Sequence, residues 1–196
     1  DLFIMKIGLG LVYNNGINAL KVNFETAGNL LSAFSTLSLF GKNDDGQNTL
    51  FNIAYAQYVK ADIDASHMIK LSPTSELVLH GGLGIAYPYG NSKVLPFEKR
   101  YFSGGANSVR GLSVRGLGPG SYSGNDGRID FINQTGDIKL DLNVEYRTFL
   151  FWKFYGAAFI DAGNIWTIRN YESQPGGQFR FNEFYKQLAV AYGVGL

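Results

Sequence analysis

The chain has 196 residues, 17 basic and 16 acidic side chains, two histidines, no cysteine and a mean hydropathy of -0.05. The net charge of +1 offers no case for nucleic acid, which calls for a basic patch or stripe. Without cysteine the chain holds no disulfide or thiolate chemistry, and no run of about 18 apolar residues marks a transmembrane helix. Glycine (25), Phe (15) and Tyr (12), with only 17% charged residues, point instead to a β protein. Asp1 opens directly into Leu2-Phe3-Ile4-Met5 with nothing like a signal peptide. The expectation is therefore a mature fragment, or a chain whose upstream part lies outside it.

From Leu2 to Tyr13, Phe3, Met5, Ile7, Leu9, Leu11 and Tyr13 share one parity, opposed by Lys6, Gly8 and Gly10. That period of two predicts a strand with one apolar face. Asn14-Asn15-Gly16 follows, and Asn-Gly is a strong hairpin signal because both turn positions tolerate positive φ. The second segment, Ile17 to about Thr26, sets Leu20, Val22 and Phe24 against Lys21, Asn23 and Glu25. A long connection runs from Ala27 to Asn48; its apolar half, Leu30 to Phe40, fits either a strand extension or a short helix. The third segment, Leu50 to Lys70, is predicted as the longest strand, and Ser72-Pro73-Thr74-Ser75 as a tight turn. The fourth, Glu76 to Tyr87, alternates Leu77, Leu79, Leu83, Ile85 and Tyr87 with Glu76, His80, Gly82 and Gly84.

A long connection spans 88–136 before the fifth segment, where Ile138, Leu140, Leu142, Val144 and Tyr146 alternate with Lys139, Asp141, Asn143, Glu145 and Arg147. A short turn over Phe149 to Lys153 leads to the sixth segment, Phe154 to Trp166, in which Asp161 is the only charge. A third connection, Arg169 to Glu183, precedes the seventh segment, Tyr185 to Leu196. Strands of roughly 10 to 20 residues exceed the usual 5 to 6 of soluble sheets. Connections alternate short and long, the layout of an outer-membrane barrel with a wet interior. Aromatics near the strand ends (Tyr13 and Phe149 to Phe154 at one end, Tyr87, Tyr101, Phe102 and Trp166 at the other) are read as interfacial girdles. A soluble β-sandwich or lipocalin-like barrel also alternates, but with shorter strands and one compact core. Seven strands in lipid would leave two unpaired edges, so they are expected to be part of a larger closed barrel.

No catalytic or metal motif emerges. Gly104-Gly105 with Ser108 lacks the Gly-Lys-Ser/Thr of a phosphate loop, no Gly-x-Ser-x-Gly elbow occurs, and His67 and His80 lie on separate strands. Neither an enzyme, a metal nor a cofactor is expected. The 88–136 connection is too long to be idle and too aromatic to be disordered. At its centre, Arg110 either points to solvent from a loop tip or is tucked inside and paired. An inward guanidinium requires carboxylates, and Glu145, inward by parity, and Asp161, costly if unpaired in an apolar strand, are the candidates.

Phe102-Ser103-Gly104-Gly105-Ala106-Asn107-Ser108-Val109-Arg110-Gly111 followed by Leu117-Gly118-Pro119-Gly120 resembles the loop-6 signature of the Omp85 superfamily (bacterial surface antigen D15). Asn143-Val144-Glu145-Tyr146-Arg147 and Phe159-Ile160-Asp161-Ala162-Gly163-Asn164-Ile165-Trp166 resemble the two strands after it, in the right order and spacing. The resemblance covers nearly the whole chain. It implies an all-β, antiparallel transmembrane β-barrel of sixteen strands, to which residues 1–196 contribute about seven, roughly the eighth to the fourteenth. Residues 88–136 would be loop 6 folded into the lumen, with POTRA domains and the last strands outside this chain.

The loop-6 motif would comprise Gly104, Gly105, Val109, Arg110, Gly111 and Leu112, with Glu145 and Asp161 as the wall partners of Arg110. Leu112 departs from the family's aromatic at that position, and a second Val114-Arg115-Gly116 follows at once; the Gly-Gly-x-Asn-Ser lead-in favours Arg110. The wording leans toward the TamA-like branch of Bacteroidota rather than the insertase BamA. The implied function is assembly or translocation of other envelope proteins in the bacterial outer membrane, by opening of a weak seam and thinning of the bilayer. Outer-membrane lipids, client envelope proteins and periplasm-spanning or lipoprotein partners are the implied partners. A two-partner secretion pore or passive porin is the alternative.

Overall fold

The computed structural model describes residues 2–35, 40–106, 108–124 and 130–196. Among the described residues, seven strands form one antiparallel sheet: β1 (Lys6–Asn14), β2 (Asn18–Ala27), β6 (Tyr58–Ser72), β7 (Ser75–Pro88), β8 (Ile138–Phe151), β9 (Phe154–Trp166) and β10 (Ala189–Gly195). Each pairs with the next in that order, so the sheet is a meander. Residues 15–17, 73–74 and 152–153 make the short turns, and 28–57, 89–137 and 167–188 the long connections. The first long connection carries a helix, α1 (Asn29–Ala33), and a small sheet of β3 (Phe40–Lys42), β4 (Asn48–Leu50) and β5 (Ile53–Ala54).

Register keeps the two parities apart. Leu9 lies opposite Phe24, Ile63 opposite Leu83, Val144 opposite Ile160 and Ile160 opposite Tyr192, so apolar rows run across the whole sheet. All of these side chains are exposed. A continuous exposed apolar face of this extent is not sustained in water; it is the solvent-facing side of a sheet whose solvent is hydrocarbon. The other face carries Glu25, Asp62, Asp64, His80, Asp141, Glu145 and Asp161, on the opposite parity. A slip of one residue would turn every charge outward, so this patterning fixes the register.

The buried apolar cluster sits where the long connections fold over the strand ends: Ala27, Ala56, Tyr58, Ala86, Leu95, Tyr101 and Ile165. Asn91 pins two connections together. Its side chain donates to the carbonyls of Asn48 (2.9 Å) and Tyr55 (2.8 Å) and accepts from the Asn48 N–H (2.6 Å), leaving none of its polar atoms idle.

Several expected boundaries move. The third segment does not run unbroken from Leu50: Phe51 and Asn52 adopt left-handed φ of 50° and 63°, which no strand tolerates, and the wall strand begins at Tyr58. Helix α1 accounts for the start of the apolar stretch 30–40, and 36–39 lie outside the described residues. The turn after β8 shrinks to Trp152-Lys153, with Trp152 at φ 54°, because β8 continues to Phe151. The seventh segment starts at Ala189, since Phe184–Gln187 coil into a 3-10 turn. Two residues read as girdle aromatics are instead buried: Trp166 packs edge-on against Phe179 and Phe184, and Tyr101 lies on the polar face.

The outward assignment of the apolar parity is testable at mid-strand. Val144→Arg in the full-length protein should destabilise the folded barrel by about 2–4 kcal/mol, the cost of a cation on the lipid face near the bilayer midplane. Unfolding in urea, monitored in lipid vesicles, measures it.

Candidate functional site

The 89–137 connection returns onto the polar face of the sheet. Tyr101 and Gly136 exchange both backbone hydrogen bonds, each 2.8 Å, closing its neck, and Ser103 bridges Leu117. Between them the chain must turn sharply. Gly104, Gly105 and Gly111 sit at φ 96°, 89° and 90°, and a side chain at Gly104 would run into the Ser113 carbonyl. This turn lays Ser108, Val109 and Arg110 against β8 and β9. Val109 is fully buried, and a Cβ placed on Gly163 of β9 would stand 3.0 Å from its methyl carbon.

Arg110 is the hub. Its backbone N–H and Nε both donate to Asp161 Oδ2, at 2.9 and 2.8 Å, and Nη2 donates to Asp161 Oδ1 at 2.8 Å. Nη1 donates to Glu145 Oε2, whose other oxygen accepts from Arg147 Nε at 2.6 Å. The guanidinium carbon lies over the Phe159 ring, 3.7 Å from its centre. Phe159 lies directly opposite Glu145 on β8 and Gly193 on β10, and a Cβ on Gly193 would be 2.6 Å from the ring. The ring is thus held between a glycine and a cation, a stack that guanidinium favours. Asp161 has no solvent exposure. A buried carboxylate is tolerable only if paired and fully hydrogen-bonded, and Arg110 meets both demands with a bidentate fork. The hydrogen bonds with Asp161, and after them the one with Glu145, raise the pKa of Arg110 above its already high value, so the cation is permanent.

A model of the Omp85 superfamily domain matches residues 44–196, more than half of the chain and inclusive of every residue of this site. The chain belongs to the Omp85 superfamily. It is 33% identical over 125 residues to the outer membrane protein assembly factor BamA of Neisseria meningitidis serogroup B, covering 59% of this chain and 15% of that protein. The crystal structure of BamA from Haemophilus ducreyi lacking POTRA domains 1-3 superposes with a TM-score of 0.66 at 18% identity, over 96% of this chain and 35% of that one. At that identity the likeness speaks for the fold alone. The chain therefore spans a minor part of the proteins it matches, as a strip of outer-membrane β-barrel wall with its connections.

Within this Omp85 strip, the structure brings together Val109, Arg110, Glu145 and Asp161, with Gly104, Gly105 and Gly111 shaping the turn. Leu112 contributes its backbone, accepting from the Gly105 N–H at 2.9 Å. Arg115 stays off the wall: its Nη1 donates to the Phe131 carbonyl (3.1 Å), and its guanidinium lies 4.9 and 5.0 Å from the Phe97 and Phe102 rings. Asn107 lies outside the described residues. The histidines are apart, His67 with Asn18 and His80 with Asp64 and Asn143.

Sequence reasoning missed five contributors. Ser108 donates to the buried Asp141 (2.6 Å), whose other oxygen pairs with Lys139 (2.9 Å), and Asn143 donates to the Ser108 carbonyl (2.9 Å). Asp141 and Asn143 share the inward parity of Glu145, so that alternation already placed them on the site's wall. Phe159 shares the parity of Asp161, and a ring on a polar face was its signal. The last is Tyr101, whose hydroxyl donates to Asp62 (2.5 Å) while its ring covers Gly84. Burial of the phenol, then its bond to Asp62, raise its pKa, so it remains a donor.

A paired substitution checks this packing. A Cβ at Gly84 would fall 2.5 to 2.8 Å from the Tyr101 ring, whereas at Gly82, two residues away on the same face, nothing lies closer than 3.7 Å. Gly84→Ala should lower stability by about 1–3 kcal/mol, the usual penalty of overpacking, with Gly82→Ala close to neutral. Thermal unfolding of the full-length protein in detergent ranks the two.

Proposed function

We propose that this chain is part of the barrel of an outer-membrane assembly or translocation factor, one that helps other envelope proteins insert or cross without making or breaking covalent bonds. The observation that carries the reading is the buried, bidentate Arg110–Asp161 pair completed by Glu145 and backed by Phe159. It fixes a long connection to the inner wall across two adjacent strands, a device for holding barrel shape rather than for transforming a substrate. The Omp85 match and the assembly-factor relative support the same reading. The seven strands are taken as roughly the eighth to fourteenth of sixteen, and residues 88–136 as loop 6 in the lumen. POTRA domains would precede them, and outer-membrane lipids, client proteins and lipoprotein or periplasm-spanning partners would be engaged by the whole protein. A TamA-like branch rests on the wording of the loop, while the relative and the structural neighbour are BamA proteins; assembly is common to both. A passive porin or two-partner secretion pore could share this wall, but the inward connection occupies space that a passive channel keeps open.

Arg110→Ala in the full-length protein should leave the barrel folded, expose the connection to protease and reduce client insertion. The local loss should be about 3–5 kcal/mol, since Asp161 is left buried without its partner. Arg110→Lys should fall between, because an ammonium supplies charge but no planar fork. Protease resistance of the connection in vesicles and insertion of a client barrel are the readouts. Wild-type resistance in Arg110→Ala would contradict the reading.

A further inference from the structure

A second cluster of ionised side chains on the polar face lies on the opposite flank from Arg110, around Glu25 of β2. Its carboxylate accepts from three side chains that belong to three different parts of the fold. Lys6 Nζ, on the outermost strand β1, donates at 2.7 Å. Lys99 Nζ, in the 3-10 turn Phe97–Lys99 at the start of the inward connection, donates at 3.0 Å. Tyr58, the first residue of β6, donates its hydroxyl at 2.5 Å. Lys60 adds a cross-brace: its Nζ donates to the Lys99 carbonyl (3.2 Å) and lies 4.1 Å from the centre of the Tyr101 ring. Glu25 and Lys99 are mostly shielded, with side-chain exposures of 19% and 18%. Ion pairs of this kind count for more than surface pairs, which contribute little.

We propose that Glu25 is a positioning residue that anchors the start of the inward connection independently of Arg110 and couples it to strand β1. The proposal deepens the reading of the connection as an inward latch and rests on it. In this arrangement the connection has two anchors. Arg110 fastens its turn to β8 and β9, and Lys99, with Tyr101 beside it, fastens its start to β2, β6 and β7. Because the same carboxylate also holds Lys6, displacement of β1 removes one of the three donors that fix the Glu25 rotamer. A movement at that edge of the strip is then felt at Lys99, and a movement of the connection is felt at β1. The coupling is local and physical: one short side chain with two oxygens, shared by three donors.

Lysine acylation footprinting of the full-length protein in lipid vesicles, read by mass spectrometry, tests this. In the wild type, Lys6 and Lys99 should react slowly compared with Lys153 in the exposed β8–β9 turn. Glu25→Gln should raise acylation of both by about tenfold, the factor expected when a charge-assisted hydrogen bond is lost. Lys99→Met should speed acylation of Lys6 and open the connection near Tyr101 to protease, while Lys99→Arg should restore protection. A variant that merely loosened the fold would not be rescued in this way. Arg110→Ala should free the Arg110 turn and leave Lys99 slow. Fast Lys99 acylation in the wild type, no response to Glu25→Gln, or equal exposure of Lys99 in Arg110→Ala would overturn the second anchor. None of these depends on client insertion, so failure of the assembly reading would show separately.

Discussion

A carboxylate buried in the middle of a membrane-type strand is the constraint on which the rest of this structure depends. Asp161 lies where neither water nor its own strand can neutralise it. The nearest sheet neighbours by register, Asn143 and Ala191, carry no positive charge. A cation must be brought from elsewhere in the chain. The 89–137 connection delivers Arg110, and much of its local design follows from that delivery: glycines at positive φ to turn the backbone, Val109 buried against Gly163, and Ser108 tied to Asp141. Phe159 supplies a flat platform, and Gly193 leaves room for that platform. The loop is fixed because the charge needs it, and the charge is tolerated because the loop is there.

The same economy governs the wall. Its outer face is apolar and its inner face ionised, yet the ionised groups are joined in networks: Arg110, Glu145, Arg147 and Glu76 form one chain of pairs, Lys139 and Asp141 another, and Lys6, Glu25 and Lys99 a third. Connected this way, the polar face limits the desolvation that the long connection would otherwise impose on it. The connection touches this face on both flanks, through Lys99 at Glu25 of β2 and through Arg110 at Glu145 of β8 and Asp161 of β9.

Much of this was legible in the sequence because period-two patterning is a strong signal when both faces of a sheet have different solvents. The seven wall strands, the alternation of short and long connections and the inward parity of Glu145 followed from it. The pairing of Arg110 with Glu145 and Asp161 was legible as well, from strand parity, from the cost of an unpaired Asp161 and from the resemblance, and the structure brings the three together. What patterning could not place were the features set by contacts between distant segments. Phe51 and Asn52 break an apparently continuous strand through backbone torsion, and Trp166 is buried by Phe179 and Phe184 rather than left at an interface. Tyr101 looked like a girdle residue until Gly84 and Asp62 supplied its seat. Glu25 looked like one more alternating charge, and only the fold brings Lys6 and Lys99 to it.

The most direct measurement is the hydrogen exchange of the Arg110 amide in the full-length protein in lipid. That N–H is protected by a side chain, Asp161 Oδ2, rather than by a backbone carbonyl of the sheet. Exchange should be slow in the wild type, and that protection should be lost in Asp161→Ala while the β8–β9 ladder amides stay protected. An Arg110 amide that exchanges at the rate of an open loop in the wild type, or that remains protected without Asp161, would contradict the pairing.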